Sequence, residues 1–170
     1  MNSPERFQEQ QRMRQWWLIA IVIGVAVLGW YFLIEQIVRG NDVGSNPGPD
    51  WVVVLLWLLT GIGMPVFFWW FKLDTRVDND GIHITMAPFS NRTIERSDID
   101  KFGSRTYKPI LEFGGWGVRG FGSNRAYNIN GNRGVQLELT NGDRILIGSQ
   151  RPGALEAAIA AMTRVSPTVW

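Results

Sequence analysis

Two uninterrupted apolar blocks dominate the N-terminal part of the chain. Residues 16–34 run for nineteen positions without a charge, and residues 51–71 for twenty-one. At about 1.5 Å per helical residue, either block covers roughly the 30 Å of a bilayer's hydrocarbon core. Neither has a polar face to turn toward water, which argues against buried helices of a soluble domain. The first block is too long for a signal-peptide core, lacks a small-x-small cleavage pattern, and is followed at once by the second. The pattern predicts an N-terminal tail over 1–15, spans over 16–38 and 51–71, and a short loop over 39–50. Gly40, Gly44, Pro47, Gly48 and Pro49 make that loop a turn, so the spans form a hairpin.

Beyond residue 72 the hydrophobic period changes to two. Residues 75–77 and the alternating Ile82, Ile84 and Met86 flank Asp78-Asn79-Asp80-Gly81 and predict a hairpin. Further short strands are expected over 92–95, 99–107, 116–119 and 126–129. The clearest hairpin joins 135–140 to 143–147. A two-residue Asn141-Gly142 turn sets Ile145 and Ile147 opposite Glu138 and Gln136. A three-residue loop with a left-handed Gly142 instead aligns Val135 with Ile147, Leu137 with Ile145, and Glu138 with Arg144. The second register is preferred, because a one-residue slip exchanges the faces. Pro152, Glu156 and the stripe Leu155, Ile159 and Met162 predict a helix, with Arg164 in its last turn and Pro167 beyond. The expected architecture is a membrane helical hairpin followed by a mainly-β (α+β) domain over 73–165 and a tail over 166–170. In that domain about seven short antiparallel strands form a bent sheet or barrel, capped by the C-terminal helix.

Charge adds an orientation. Arg6, Arg12 and Arg14 precede the first block and Lys72 and Arg76 follow the second, whereas the loop holds Arg39 with Asp42 and Asp50. Excess positive charge favours the cytoplasmic side, so both termini are expected there. Seven of the nine tryptophans fall in the apolar part. Trp16, Trp17, Trp69 and Trp70 are expected at one membrane interface, and Trp30, Tyr31 and Trp51 at the other. Gly61, Gly63 and Pro65 should bend or loosen the second helix. Ala20 and Gly24 offer a small-residue face, read first as packing within the hairpin and second as a docking surface for a partner helix. Glu35 is an interfacial residue at the outer end of the first span.

Composition limits the chemistry. The chain is 45% hydrophobic with no cysteine and one histidine. A disulfide framework, thiol catalysis and thiolate metal sites are thereby excluded, and histidine-rich zinc sites are hard to assemble. No catalytic, cofactor or metal residue is assigned. Gly115-x-Gly117-x-x-Gly120 matches a dinucleotide fingerprint in letters, but no helix is expected to open after it. It reads as a glycine-rich bend with Trp116 as a packing anchor. Asp78-Asn79-Asp80-Gly81 reads as a turn, since Arg76 and Ala87 stand where a calcium loop needs ligands. His83 reads as a surface strand residue. The segment 103–134 carries Arg105, Lys108, Arg119, Arg125 and Arg133 against Glu112 alone, with eight glycines. These five cations are the candidate interaction surface, for anionic lipid headgroups or an acidic partner. The domain's small net charge speaks against nucleic acid.

The stretch 76–86, Gly114-Gly115-Trp116-Gly117-Val118-Arg119, Ala126-Tyr127-Asn128 with Gly131, and the run from Val135-Gln136-Leu137-Glu138-Leu139 to Ile147-Gly148-Ser149-Gln150-Arg151-Pro152 resemble bacterial membrane-anchored pleckstrin-homology-like (PH-like) proteins. The resemblance covers most of 16–165 and implies a PH-like domain beside two spans in the bacterial inner membrane. Inositol-phosphate-binding relatives of that fold carry basic residues around the first hairpin. Here that turn is acidic and repels phosphate. The expected role is non-catalytic: an accessory or scaffolding subunit of a larger membrane complex, for instance of respiratory or photosynthetic type. Its expected partners are the bilayer and other membrane subunits or a second copy. The alternatives are a lipid-headgroup sensor and an enzyme of unknown kind.

Overall fold

The computed structural model describes residues 5–41, 43–44, 48–120 and 122–169. The expectations resting on Asp42 and Pro47 lie outside the described residues. The chain divides into two compact units, Arg14–Trp70 and a second made of Met1–Met13 with Phe71–Trp170.

The first unit is a pair of helices. Helix α1 (Trp16–Leu33) is prolonged by a π-helical turn (Ile34–Val38), and α2 (Asp50–Trp57) passes through another (Leu58–Gly63) into α3 (Met64–Trp70). Both are long and apolar enough to cross a membrane, over Trp16–Val38 and Asp50–Trp70. The loosening expected at Gly61, Gly63 and Pro65 takes the form of the second π turn, which ends just before the proline. Proline has no N–H to donate and its ring crowds the preceding turn, so the ladder widens there. Thr60 Oγ1 donates to the Leu56 carbonyl at 2.7 Å within the same stretch.

Among the described residues, the second unit holds nine strands in two sheets. Strands β1 (Phe7–Arg12), β2 (Lys72–Val77), β3 (Gly81–Ala87) and β4 (Ser90–Glu95) form an antiparallel sheet in chain order. Strands β5 (Ile99–Thr106), β6 (Gly117–Arg119), β7 (Asn124–Asn128), β8 (Arg133–Leu139) and β9 (Arg144–Gly148) form the other, in the order β5-β8-β9-β7-β6. A short helix α4 (Pro109–Phe113) lies in the β5–β6 connection, and α5 (Pro152–Thr163) closes the fold. The inward positions of both sheets and Leu155, Ala158, Ile159 and Met162 of α5 share one core. On the other face of the five-stranded sheet, Tyr107 and Phe113 cover Ala126 and Leu146.

The β8–β9 hairpin adopts the preferred register, with Val135 opposite Ile147, Leu137 opposite Ile145 and Glu138 opposite Arg144. Gly142 is left-handed at φ 85°, as the three-residue loop requires. The β2–β3 hairpin pairs Val77 with Ile82 around the Asp78–Gly81 turn, also as expected.

Four expectations change. The described strands form two sheets and no closed barrel. Strand β7 pairs with β9 in parallel, because the link after β7 hops over β9 to start β8 at the same end of the sheet. The 1–15 tail contains β1, which pairs with β2 from Phe7 opposite Val77 to Arg12 opposite Lys72. Its inward side chains after Phe7 are Glu9 and Gln11, so the period-two signal of an apolar face is missing. Helix α4 is too short to leave a period in the sequence.

Candidate functional site

The five candidate cations do not form one surface. Arg105 is a clamp: its guanidinium donates to Glu112 at 2.8 Å and to Gln136 at 3.1 and 3.2 Å, tying α4 to β8. Arg119 pairs with Ala126, and alternation puts both it and Arg105 on the α4-covered face of the five-stranded sheet. Its Nε donates to the Trp116 carbonyl at 2.9 Å. Arg125 and Arg133 belong by alternation to the opposite face, with Tyr127 and Val135. They also stand at opposite ends of the strands, Arg125 beside Ile145 and Arg133 beside Thr106. Lys108 is exposed at the start of α4. Net charge along a segment could not reveal this, because the strands inside it carry successive residues to opposite faces. The glycine run is a set of bends. Gly115, Gly117 and Gly120 have φ of 125°, 117° and 90°, and Gly117 opens a strand, so the fingerprint lacks its helix. Trp116 is half-buried, and its Nε1 donates to the Gly131 carbonyl at 3.1 Å.

The denser polar constellation lies on the outer face of the four-stranded sheet. Register aligns Gln8, Arg76, His83 and Thr93 in one row and Gln10, Asp74, Thr85 and Asn91 in the next. His83 Nε2 lies 2.9 Å from Asp78 Oδ2, and its Nδ1 lies 3.1 Å from Thr93 Oγ1. Asp78 is the buried partner, and its other oxygen accepts the N–H groups of Asp80 and Gly81 at 2.9 and 3.1 Å. Burial pushes the Asp78 carboxyl up, but these two N–H groups and His83 outweigh it and hold it below its ordinary 3.8. Two open depressions flank His83. One, of about 570 Å³, includes Asn79, Glu95 and Arg96, and the other, of about 420 Å³, includes Gln8, Asp74 and Arg76. The face presents donors and acceptors side by side. Among the described residues no group of three or more His, Asp or Glu side chains is placed to hold a metal ion.

Strand β1 is bolted to the rest of the unit by buried polar contacts that periodicity does not reveal. The Glu9 carboxylate accepts the Ser149 hydroxyl at 2.5 Å and the Gln150 N–H at 2.9 Å, and Gln11 Nε2 donates to the Gly148 carbonyl at 2.8 Å. Arg151 lies over the Phe7 ring, 5.0 Å from its centre, and donates to the Gln8 carbonyl at 2.7 Å. The sequence reading also missed three exposed apolar side chains: Phe89 at the β3–β4 turn and Ile110 and Leu111 on α4, which are 65%, 65% and 79% exposed.

Within the helical pair, the interface candidates Trp16, Trp17, Trp30, Tyr31, Trp51, Trp69 and Trp70 are all exposed. Trp30 does not stand level with Trp51. Its ring meets that of Trp57 edge-on at 5.1 Å, well inside the second helix, because the first helix runs on to Val38. Ala20 and Gly24 are exposed, and a Cβ on Gly24 would meet nothing within 4 Å, so packing within the pair does not use them. Close approach occurs instead at Gly29, where a Cβ would fall 2.6 Å from Thr60 Oγ1. Glu35 is held by Arg39 at 2.5 Å and Asn41 at 3.0 Å.

No curated protein matches the chain. One family model does, over residues 1–166, and so takes in β1, both apolar helices and the two-sheet unit. The chain belongs to the Family of unknown function (DUF6141).

Proposed function

We propose that the protein is a two-pass inner-membrane protein of bacteria that holds a non-catalytic, PH-like interaction domain at the cytoplasmic surface, as an accessory or scaffolding subunit of a larger membrane complex. One observation carries the two-pass part of this reading: β1, which precedes the first apolar helix, is hydrogen-bonded along its length to β2, which follows the second. Residues before and after a membrane hairpin pair only if both lie on one side, as two crossings require. The excess of Arg and Lys flanking the hairpin favours the cytoplasm as that side. Two sheets around one core with a closing C-terminal helix support the PH-like comparison, and the hydrogen-bonding face around His83 supplies a surface for a partner. His83 orders that face, since its ring nitrogens are both engaged, by Asp78 and Thr93.

The test is extraction of native membranes in mild detergent followed by size separation. The subunit reading expects the chain in a particle much larger than itself, with the same companions on repeated isolation. A monomer under those conditions overturns it.

A further inference from the structure

Register places several unrelated features at one end of the two-sheet unit. The chain leaves this unit after Met13 and returns at Phe71, and these points are neighbours because Arg12 pairs with Lys72. Lys72 in turn pairs with Ala87, so the β3–β4 turn that carries Phe89 stands at the same end. The Phe89 ring lies 6.0 Å from that of Phe71, the first residue after the second apolar helix. In the other sheet, the hydrogen bond from Gln11 to Gly148 brings the end of β9 to the same level. Gly148 lies opposite Gly134, and Arg133 opposite Thr106, so the β5–β6 connection with α4 departs from that end too. Ile110 and Leu111 lie near the start of that connection and are exposed, while Phe113 is the α4 side chain turned inward.

We infer that this end is a bilayer-contacting surface, on which Phe89, Ile110 and Leu111 enter the interfacial layer while Arg12, Lys72 and Lys108 meet anionic headgroups. The inference rests on the membrane reading above and adds to it where the domain touches lipid. A domain tied only by flexible linkers has no reason to put apolar side chains in water at its tethered end. Here one residue separates Trp70 from β2, and three separate β1 from Trp16. Both links are only a few residues long, roughly 3.3–3.6 Å of reach per residue, so this end is the one covalently next to the two apolar helices. Apolar side chains ringed by cations are the arrangement by which peripheral helices and loops bind anionic membranes.

The absence of cysteine makes the test free of background labelling. Full-length Phe89→Cys, Leu111→Cys and Ser97→Cys, the last at the far end, are each labelled with an environment-sensitive fluorophore. They are reconstituted in vesicles of phosphatidylcholine with phosphatidylglycerol. Doxyl-labelled lipid should quench the labels at 89 and 111, whose emission shifts to the blue, and leave the label at 97 unchanged. In phosphatidylcholine alone the quenching at 111 should fall. Unquenched labels at 89 and 111 in a chain that resists alkaline carbonate overturn the docking surface and leave the membrane reading standing. Equal quenching in the two lipids overturns the role given to the cations. Removal of the chain by carbonate overturns both readings together.

Discussion

Gly134 shows how tightly single positions are determined in the five-stranded sheet. A Cβ there would lie 2.3 Å from the Ile147 carbonyl oxygen across the strand pair, a backbone atom that cannot turn away. Gly134→Ala is expected to cost about 1–3 kcal/mol, as overpacking does, and chemical denaturation of the purified chain measures it. Asp78 and Glu112 show the same economy in electrostatics. Burial pushes the Glu112 carboxyl up, but the Lys108 N–H and the Arg105 guanidinium outweigh it and hold it below its ordinary 4.5. Asp78 is likewise held below 3.8. A carboxyl whose folded value is depressed contributes stability above its unfolded value and loses it as pH falls through the folded one. The two-sheet unit is therefore expected to weaken as pH drops below the ordinary 4.5 and 3.8. The double substitution Asp78→Asn with Glu112→Gln should flatten that acid limb in denaturation midpoints measured against pH. An unchanged acid limb would mean that other carboxyls set it.

Among the elements, β1 is the one whose placement rests least on hydrophobicity. Phe7 supplies its buried apolar side chain, and Glu9 and Gln11 fill the other inward positions through hydrogen bonds to Gly148, Ser149 and Gln150. Removing one partner of such a set strands the others in a dry environment, which costs more than the bond contributes. Glu9→Ala is expected to destabilise the unit by about 1–3 kcal/mol. Amide exchange should rise first in β1 and at Gln150, before the core strands β3 and β8 are affected. Uniform loss of protection would show that β1 is no separate element. Helix α5 is the contrasting case. Leu155, Ile159 and Met162 are buried as their spacing predicts, and the Glu156 carboxylate accepts the Ser104 N–H of β5.

For the whole molecule, the β1–β2 pairing closes a loop through both apolar helices. Gln10 stands opposite Asp74 on the outer face, at the separation of an antiparallel pair. That spacing, about 4.5–5.5 Å between Cα atoms, suits a disulfide. The variant Gln10→Cys with Asp74→Cys should cross-link quantitatively on mild oxidation in intact membranes. Free thiols after oxidation would place the N-terminal segment and the domain apart. The same closure gives the docking end its meaning, because both covalent connections leave the unit side by side.

The two long apolar helices were legible residue by residue, because an unbroken run of uncharged, apolar side chains is a local signal. Hairpin registers and the α5 stripe were legible too, since period and turn residues are local. Local signals cannot state which strands from distant parts of the chain become neighbours. The strand formed by 7–12 has no apolar period after Phe7, and the parallel β7–β9 pair is set by how the chain hops across the sheet. The five cations looked like one patch in the sequence, and the sheet separated them by face and by end. His83 looked like an isolated strand residue, and pairing set it between Asp78 and Thr93. Sequence by itself determined the two long apolar helices, the turns and the charge asymmetry, because each depends on residues near one another in the chain. Tertiary structure alone decided which polar groups share a surface and which end of the domain carries its exposed apolar side chains, because those depend on partners many residues away.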